Sequence, residues 1–187
     1  METPTADRTT PGETVPFIKE KRILVTAAFV LVADQLTKQL VIRALSGSET
    51  KVVIEGFLRF VNWQNTGAAW SMFQDSSLPL AAVSVVAMIA LIRYRHHFAT
   101  HTPAGKLALG LLIGGILGNL IDRVAYQYVI DFVRFYLIRS DGTEMGYPAF
   151  NIADMGICIG VGLLFLLAWR EGPPTEEEEE EKTQKES

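Results

Sequence analysis

Apolar residues gather along the chain in four runs, 23–45, 78–94, 107–124 and 155–169, parted by mixed or charged segments. A helix needs about 20 apolar residues to cross the hydrocarbon of a bilayer. The first run meets that length, and the third comes close. The second and fourth fall short and need flanking residues to complete a span, with a buried soluble helix as the alternative. Gly110, Gly114 and Gly118 recur at every fourth position of the third run, and Gly156 and Gly160 repeat the spacing in the fourth. Small residues at that interval let helices approach closely in lipid. Between the first two runs, 51–61 is β-prone around Gly56 and predicts a short, kinked strand pair. Residues 62–73 follow with aromatics suited to a membrane–water boundary, and 125–150 reads as a second loop. The pattern predicts an all-α membrane protein with four transmembrane helices.

Composition agrees. The mean hydropathy is +0.21 even with polar ends, so the middle must be strongly apolar. Residues 1–18, rich in Thr, Pro and Glu, read as a disordered extension without the basic start of a cleavable signal peptide. Residues 171–187 read as a solvated acidic tail with no part in chemistry. The single domain is then 19–170. The formal net charge is -4, but the tail holds eight acids against Lys182 and Lys185, so residues 1–170 carry about +2. No basic excess marks a nucleic-acid binder. One cysteine rules out an internal disulfide and disfavours a cysteine metal cage. Lys19, Lys21 and Arg22 before the first run, and Arg93, Arg95, His96, His97 and Lys106 between the second and third, put both termini in the cytoplasm. The bias is modest, because Arg43, Lys51, Arg59, Arg123, Arg134 and Arg139 fall in or beside the outer loops.

The polar residues within these runs are not scattered. Asp34 and Lys38 lie in the outward half of the first, Asn119, Asp122 and Arg123 at the outer end of the third. Asn151 and Asp154 open the fourth. An alternating four-helix topology brings all of them to one face of the membrane, whichever way the chain is inserted. Polar groups in lipid face one another or a water-filled cavity. Asp34 and Lys38, four residues apart, suit an ion pair, either a clamp between helices or part of a site. Asp122 stands beside the cation of Arg123, which biases it to permanent ionisation. Asp131 and Asp154 have no adjacent cation and sit among apolar neighbours, where burial disfavours charge. Held close, two such carboxyls would share a proton, one acting as acid while the other activates water. The 22 residues between them leave room for a turn back. The plainer role for Asp154 is to cap a helix start.

Other chemistry fits less well. His96, His97 and His101 lie on the opposite face without a carboxylate ligand, so no metal site is expected. Cys158, one turn below Asp154, reads as small packing rather than a nucleophile. Ser46, Ser48, Ser71, Ser76 and Ser77 lack the histidine of a triad. The run from Gly114 to Gly118 lacks the lysine of a phosphate loop.

Five motifs occur in order: Asp34-Gln35-Leu36-Thr37-Lys38, Asn65-Thr66-Gly67-Ala68-Ala69-Trp70, Gly114-Gly115-Ile116-Leu117-Gly118-Asn119-Leu120-Ile121-Asp122-Arg123, Val129-Ile130-Asp131-Phe132 and Phe150-Asn151-Ile152-Ala153-Asp154. Over roughly 20–170 the chain resembles bacterial lipoprotein signal peptidase, or signal peptidase II. That resemblance implies an aspartic endopeptidase of the cytoplasmic membrane that needs no cofactor or metal and is blocked by globomycin. Its substrates would be diacylglyceryl prolipoproteins, cut on the amino side of the lipidated cysteine. It implies Asp131 and Asp154 as the catalytic pair, with Asp34, Lys38, Asn65, Gly67, Gly115, Asn119, Asp122, Arg123, Asn151 and Ala153 shaping the site or holding substrate. Arg123 and Asn119, with Asn65, are expected to donate hydrogen bonds to substrate backbone. It also implies an outer cradle, a small β-sheet from 51–61 and an interfacial helix from 66–73, and an active site near the outer face of the inner membrane. Trp70 stands where the family commonly carries Phe, and the Glu-rich tail is unusual. The expected partners are prolipoprotein and membrane lipid, with the enzyme a monomer. The rival reading is a small ion- or proton-coupled transporter using the same acids. The two halves share no motif, which counts against it. A non-catalytic scaffold with Gly ridges for partner helices would leave the unpaired acids unexplained.

Overall fold

A computed structural model describes residues 17–45, 49–67, 77–98 and 102–171. Four helices form: α1 (Lys21–Ala44), α2 (Ser77–Arg93), α3 (Pro103–Tyr126) and α4 (Ile152–Glu171). Between them lie β1 (Lys51–Ile54), β2 (Leu58–Asn65), β3 (Val129–Ile138) and β4 (Glu144–Gly146). Helices α1, α3 and α4 are long and apolar enough to cross a membrane; α2, at 17 residues, is shorter. The expected tail beyond residue 171, the extension through residue 16, Trp70 and most of the expected interfacial helix lie outside the described residues.

Helix α3 is the centre, packed against α1, α2 and α4. Its glycines allow this. A Cβ on Gly114 would stand 2.6 Å from the Ala27 carbonyl of α1, and one on Gly115 would stand 2.5 Å from the Ala153 carbonyl of α4. The α1 face toward α3 holds Ile23, Ala27 and Val30, then continues as Asp34 and Lys38, all buried. One helical stripe thus changes from apolar to charged toward its C-terminal end. Val25, Phe29, Val32, Val83, Val86 and Phe165 are exposed, as side chains meeting lipid should be.

The ends of α3 carry clear signals. Thr102 accepts a hydrogen bond from Gly105 N at 2.9 Å, with Pro103 at the first turn. Gln127 closes the helix in the left-handed region at φ 65° and turns the chain into β3.

The four strands make one open antiparallel arrangement in the order β1-β2-β3-β4. The strand pair expected at 51–61 is present, with its kink between Val52 and Ile54. Strand β3 was not anticipated. It replaces part of the expected loop at 125–150 and pairs with β2, Trp63 opposite Asp131 and Arg59 opposite Arg134. The helices extend beyond the apolar runs at most ends, notably α4, which begins at Ile152 rather than 155.

Candidate active site

After β4 the chain returns to β3. Phe150 exchanges hydrogen bonds with Val133, N to O at 3.0 Å and O from N at 2.9 Å, and also accepts from Phe132 N. This bridge sets Asn151 beside Asp131, two residues back along the strand. Asn151 donates to Asp131 Oδ1 at 2.8 Å. It also starts α4 with a reciprocal cap: Asn151 Oδ1 accepts from Asp154 N at 2.9 Å, and Asp154 Oδ2 accepts from Asn151 N at 3.2 Å. Asp154 therefore does cap its helix. Its other oxygen is aimed elsewhere, accepting from Asn119 Nδ2 of α3 at 2.7 Å.

Two side-chain amides tie the carboxyls together. Asn119 Oδ1 accepts from Asn151 Nδ2 at 3.1 Å, so Asp131, Asn151, Asn119 and Asp154 form one chain of hydrogen bonds. The far oxygen of Asp131 accepts from Asn65 Nδ2 at 2.9 Å. Both aspartates border a cavity of about 780 Å³ that also reaches Arg123, Arg134, Ile157 and Cys158. The Asp131 carboxyl is pushed up to about 7, first by burial and then by the negative charge of Asp154; hydrogen bonds from Asn65 and Asn151 and the charge of Lys38 oppose the rise.

Behind the amides lies a buried ion cluster. Lys38 Nζ stands 2.8 Å from both Asp34 Oδ2 and Asp122 Oδ2, and it donates to Asn119 Oδ1 at 3.0 Å. Asp34 Oδ1 accepts from Ala153 N at 2.9 Å, and Asp122 Oδ2 from Ile130 N at 3.2 Å. The cluster thus clamps α1 and α3 to the starts of both β3 and α4, each next to an active-site candidate. This is the clamp reading of Asp34 and Lys38. Asp122 takes Lys38, not its neighbour Arg123, as its ion-pair partner.

Three expected substrate donors are committed, at least in part, to the protein. Asn65 serves Asp131, and its Oδ1 accepts from Gly67 N at 3.0 Å. Asn119 serves Asp154. Arg123 Nη2 donates to the Gly67 carbonyl at 3.2 Å, holding that turn over the cavity. Its Nε is buried with no partner among the described residues. Gly115 and Ala153 act through size: the helices meet where a larger pair would not fit. Gln35, next to Asp34, was overlooked as a site residue. It donates to Asp122 Oδ1 at 3.0 Å and to the Gly118 carbonyl at 3.2 Å. Its place inside the first motif was the available signal. Cys158 is not packed, as expected, but exposed. Its helical spacing from Asp154 instead puts it on the cavity wall. No grouping of His, Cys, Asp and Glu among the described residues suits a metal ion.

The model of a family described as signal peptidase (SPase) II matches residues 26–170. The chain belongs to this family. A lipoprotein signal peptidase of Bacillus velezensis is 36% identical over 140 residues, covering 75% of this chain and 88% of the relative. One of Syntrophotalea carbinolica is 34% identical over 153 residues, covering 80% and 92%. Among solved structures, a bacterial membrane enzyme determined in meso at 2.3 Å superposes with a TM-score of 0.71 at 30% identity, covering 81% of this chain and 89% of that one. A second, at 1.9 Å, gives 0.67 at 31%, covering 79% and 92%. The signal peptidase II assignment makes the chain a multi-pass inner-membrane hydrolase, an aspartic endopeptidase that processes lipoprotein signal peptides. Nothing in these likenesses favours a transporter.

Proposed function

We propose that Asp131 and Asp154 are the catalytic pair, and that this enzyme cuts diacylglyceryl prolipoproteins on the amino side of the lipidated cysteine. The observation that carries the pairing is the shared cavity, in which Asn151 and Asn119 link one carboxyl to the other. Burial and the charge of Asp154 favour a proton on Asp131 at rest. Asp154 accepts from Asn119 and from the backbone N of Asn151 at the N-terminus of α4, where a negative charge is favoured. Asp154 therefore takes a proton from water as the water oxygen attacks the scissile carbonyl carbon, and Asp131 gives its proton to the carbonyl oxygen. The tetrahedral adduct then collapses. Its hydroxyl proton returns to Asp131, the C–N bond breaks, and Asp154 delivers its proton to the leaving amine. The two groups titrate as a pair.

Asp34, Lys38, Gly115, Asp122 and Ala153 hold this geometry in our reading, and Arg123 keeps donor capacity for substrate on the cavity wall. The enzyme works as a monomer, since one chain supplies every residue of this site. Both termini face the cytoplasm and the site faces outward. The Lys106–Glu20 ion pair, 2.7 Å, supports placing the basic segments at one end of the bundle. The domain is 19–170, and chains trimmed of 1–18 or 171–187 should retain cleavage.

Purified protein incubated with a diacylglyceryl prolipopeptide should release the mature fragment, and globomycin should stop it. Asp131→Asn and Asp154→Asn should each lower kcat at least ~1,000-fold while the protein still folds. Near-wild-type turnover by either variant rejects the pairing.

A further inference from the structure

Outside the catalytic network the sheet carries a second charged group with more cation than acid. Arg59 of β2 and Arg134 of β3 stand directly opposite each other. Like charges so placed repel. They share a single oxygen, Glu144 Oε1, at 2.7 Å and 2.8 Å. Among the described residues neither guanidinium has another ion-pair partner, and the Nε of each is buried without an acceptor. Arg134 lies over the Trp63 ring at 4.3 Å and Arg59 over Tyr136 at 4.5 Å, so both planes are held in place. Gly146 leaves room for one of them: a Cβ there would stand 3.0 Å from two Arg134 nitrogens. Arg134 borders the same cavity as Asp131 and Asp154.

Building on the peptidase reading, we propose that Arg134, backed by Arg59, selects for an acidic side chain among the residues that follow the cleavage point. Strand geometry sets the position. Arg134 is three residues beyond Asp131 on β3, its backbone about 10 Å along the strand. Alternation alone would face it away, but its guanidinium lies over Trp63, the cross-strand partner of Asp131, and borders the cavity. An extended peptide with its scissile bond at Asp131 covers that distance in about three residues. The signal segment is apolar and belongs with the helices, so the part that meets this polar sheet is the mature side. An incoming carboxylate meets a net positive pair whose planar donors match it bidentately. Glu144 competes for the same donors.

The test uses full-length enzyme and synthetic diacylglyceryl lipopeptides identical except for Asp, Asn or Lys at the third residue, counting the lipidated cysteine as first. The Asp:Lys ratio of kcat/KM is taken within each variant, so that a general loss of activity cancels. We expect about 5- to 10-fold in favour of Asp for wild type, carried by KM, shrinking in high salt. Arg134→Gln should bring the ratio to about one, and Glu144→Gln should raise it. A wild-type ratio near one with the Asn peptide still cut overturns this proposal alone, as does a preference that survives Arg134→Gln or falls in Glu144→Gln. Failure of wild type to cut the Asn peptide removes the peptidase reading, and this proposal with it.

Discussion

Lys38 is 1% exposed and stands between two carboxylates that are equally hidden. Taking away the lysine would leave Asp34 and Asp122 buried without a cation, and uncompensated buried charge costs about 3–5 kcal/mol. Lys38→Met should therefore lower the unfolding temperature by roughly 10 °C in a chain of this size, as followed by thermal unfolding in detergent. Gln35→Leu, which removes two neutral donors and no charge, should cost less. Asp131 has the opposite balance. Its folded carboxyl titrates near 7, above the usual 3.8. The folded state therefore holds the proton more tightly than the unfolded chain, and this stabilising contribution is lost as pH rises from about 4 to about 7. Asp131→Asn escapes that loss, so its unfolding temperature relative to wild type should climb across this range and level off above it. At this scale the sequence revealed which residues meet but not which atoms pair. Asn65, Asn119 and Arg123 were expected to serve substrate, and their partners within the protein lie far off in the chain or on backbone carbonyls. Asn65 is 66 residues from Asp131, and Asn119 is 35 from Asp154. No spacing rule reaches that far.

Helices α1 and α3 were legible because long apolar runs have few other uses, whereas the run of α4 was too short to span alone; the glycine repeat announced close packing in both α3 and α4. The end of α4 that matters was less plain. It starts three residues ahead of its apolar run, through the Asn151–Asp154 cap. Strand β3 escaped because its first four residues are all buried, so the in–out alternation that marks a strand is missing. Its main partner, β2, is also more than 60 residues away. The helix contact at Gly115 makes a prediction at this scale. A methyl there meets the Ala153 carbonyl at 2.5 Å and Ile157 at 2.8 Å, so α4 must shift. Gly115→Ala should cost about 1–3 kcal/mol and lower kcat more than tenfold, because the shift carries Asp154 with it. The paired readout is activity against unfolding temperature. Gly142, a turn glycine at φ +79° with open space around it, is the comparison: Gly142→Ala should leave kcat near wild type.

Across the whole molecule, the proposed pairing makes the acid chemistry depend on one shared proton. With Asp131 and Asp154 as the proposed pair sharing one proton, kcat/KM should fall as pH rises through about 7 and also fall at low pH when both are protonated. A profile flat from pH 5 to 9 would contradict the assignment. The order of elements has a consequence for synthesis. Asn151 and Asp154 open the last helix, while every other member of the network precedes them. A nascent chain halted before α4 carries Asp131 but no Asp154 carboxyl and no amide bridge. On the proposed pairing the protease should thus be mute on the ribosome until α4 enters the bilayer, and a copy terminated before α4 should not nick its neighbours.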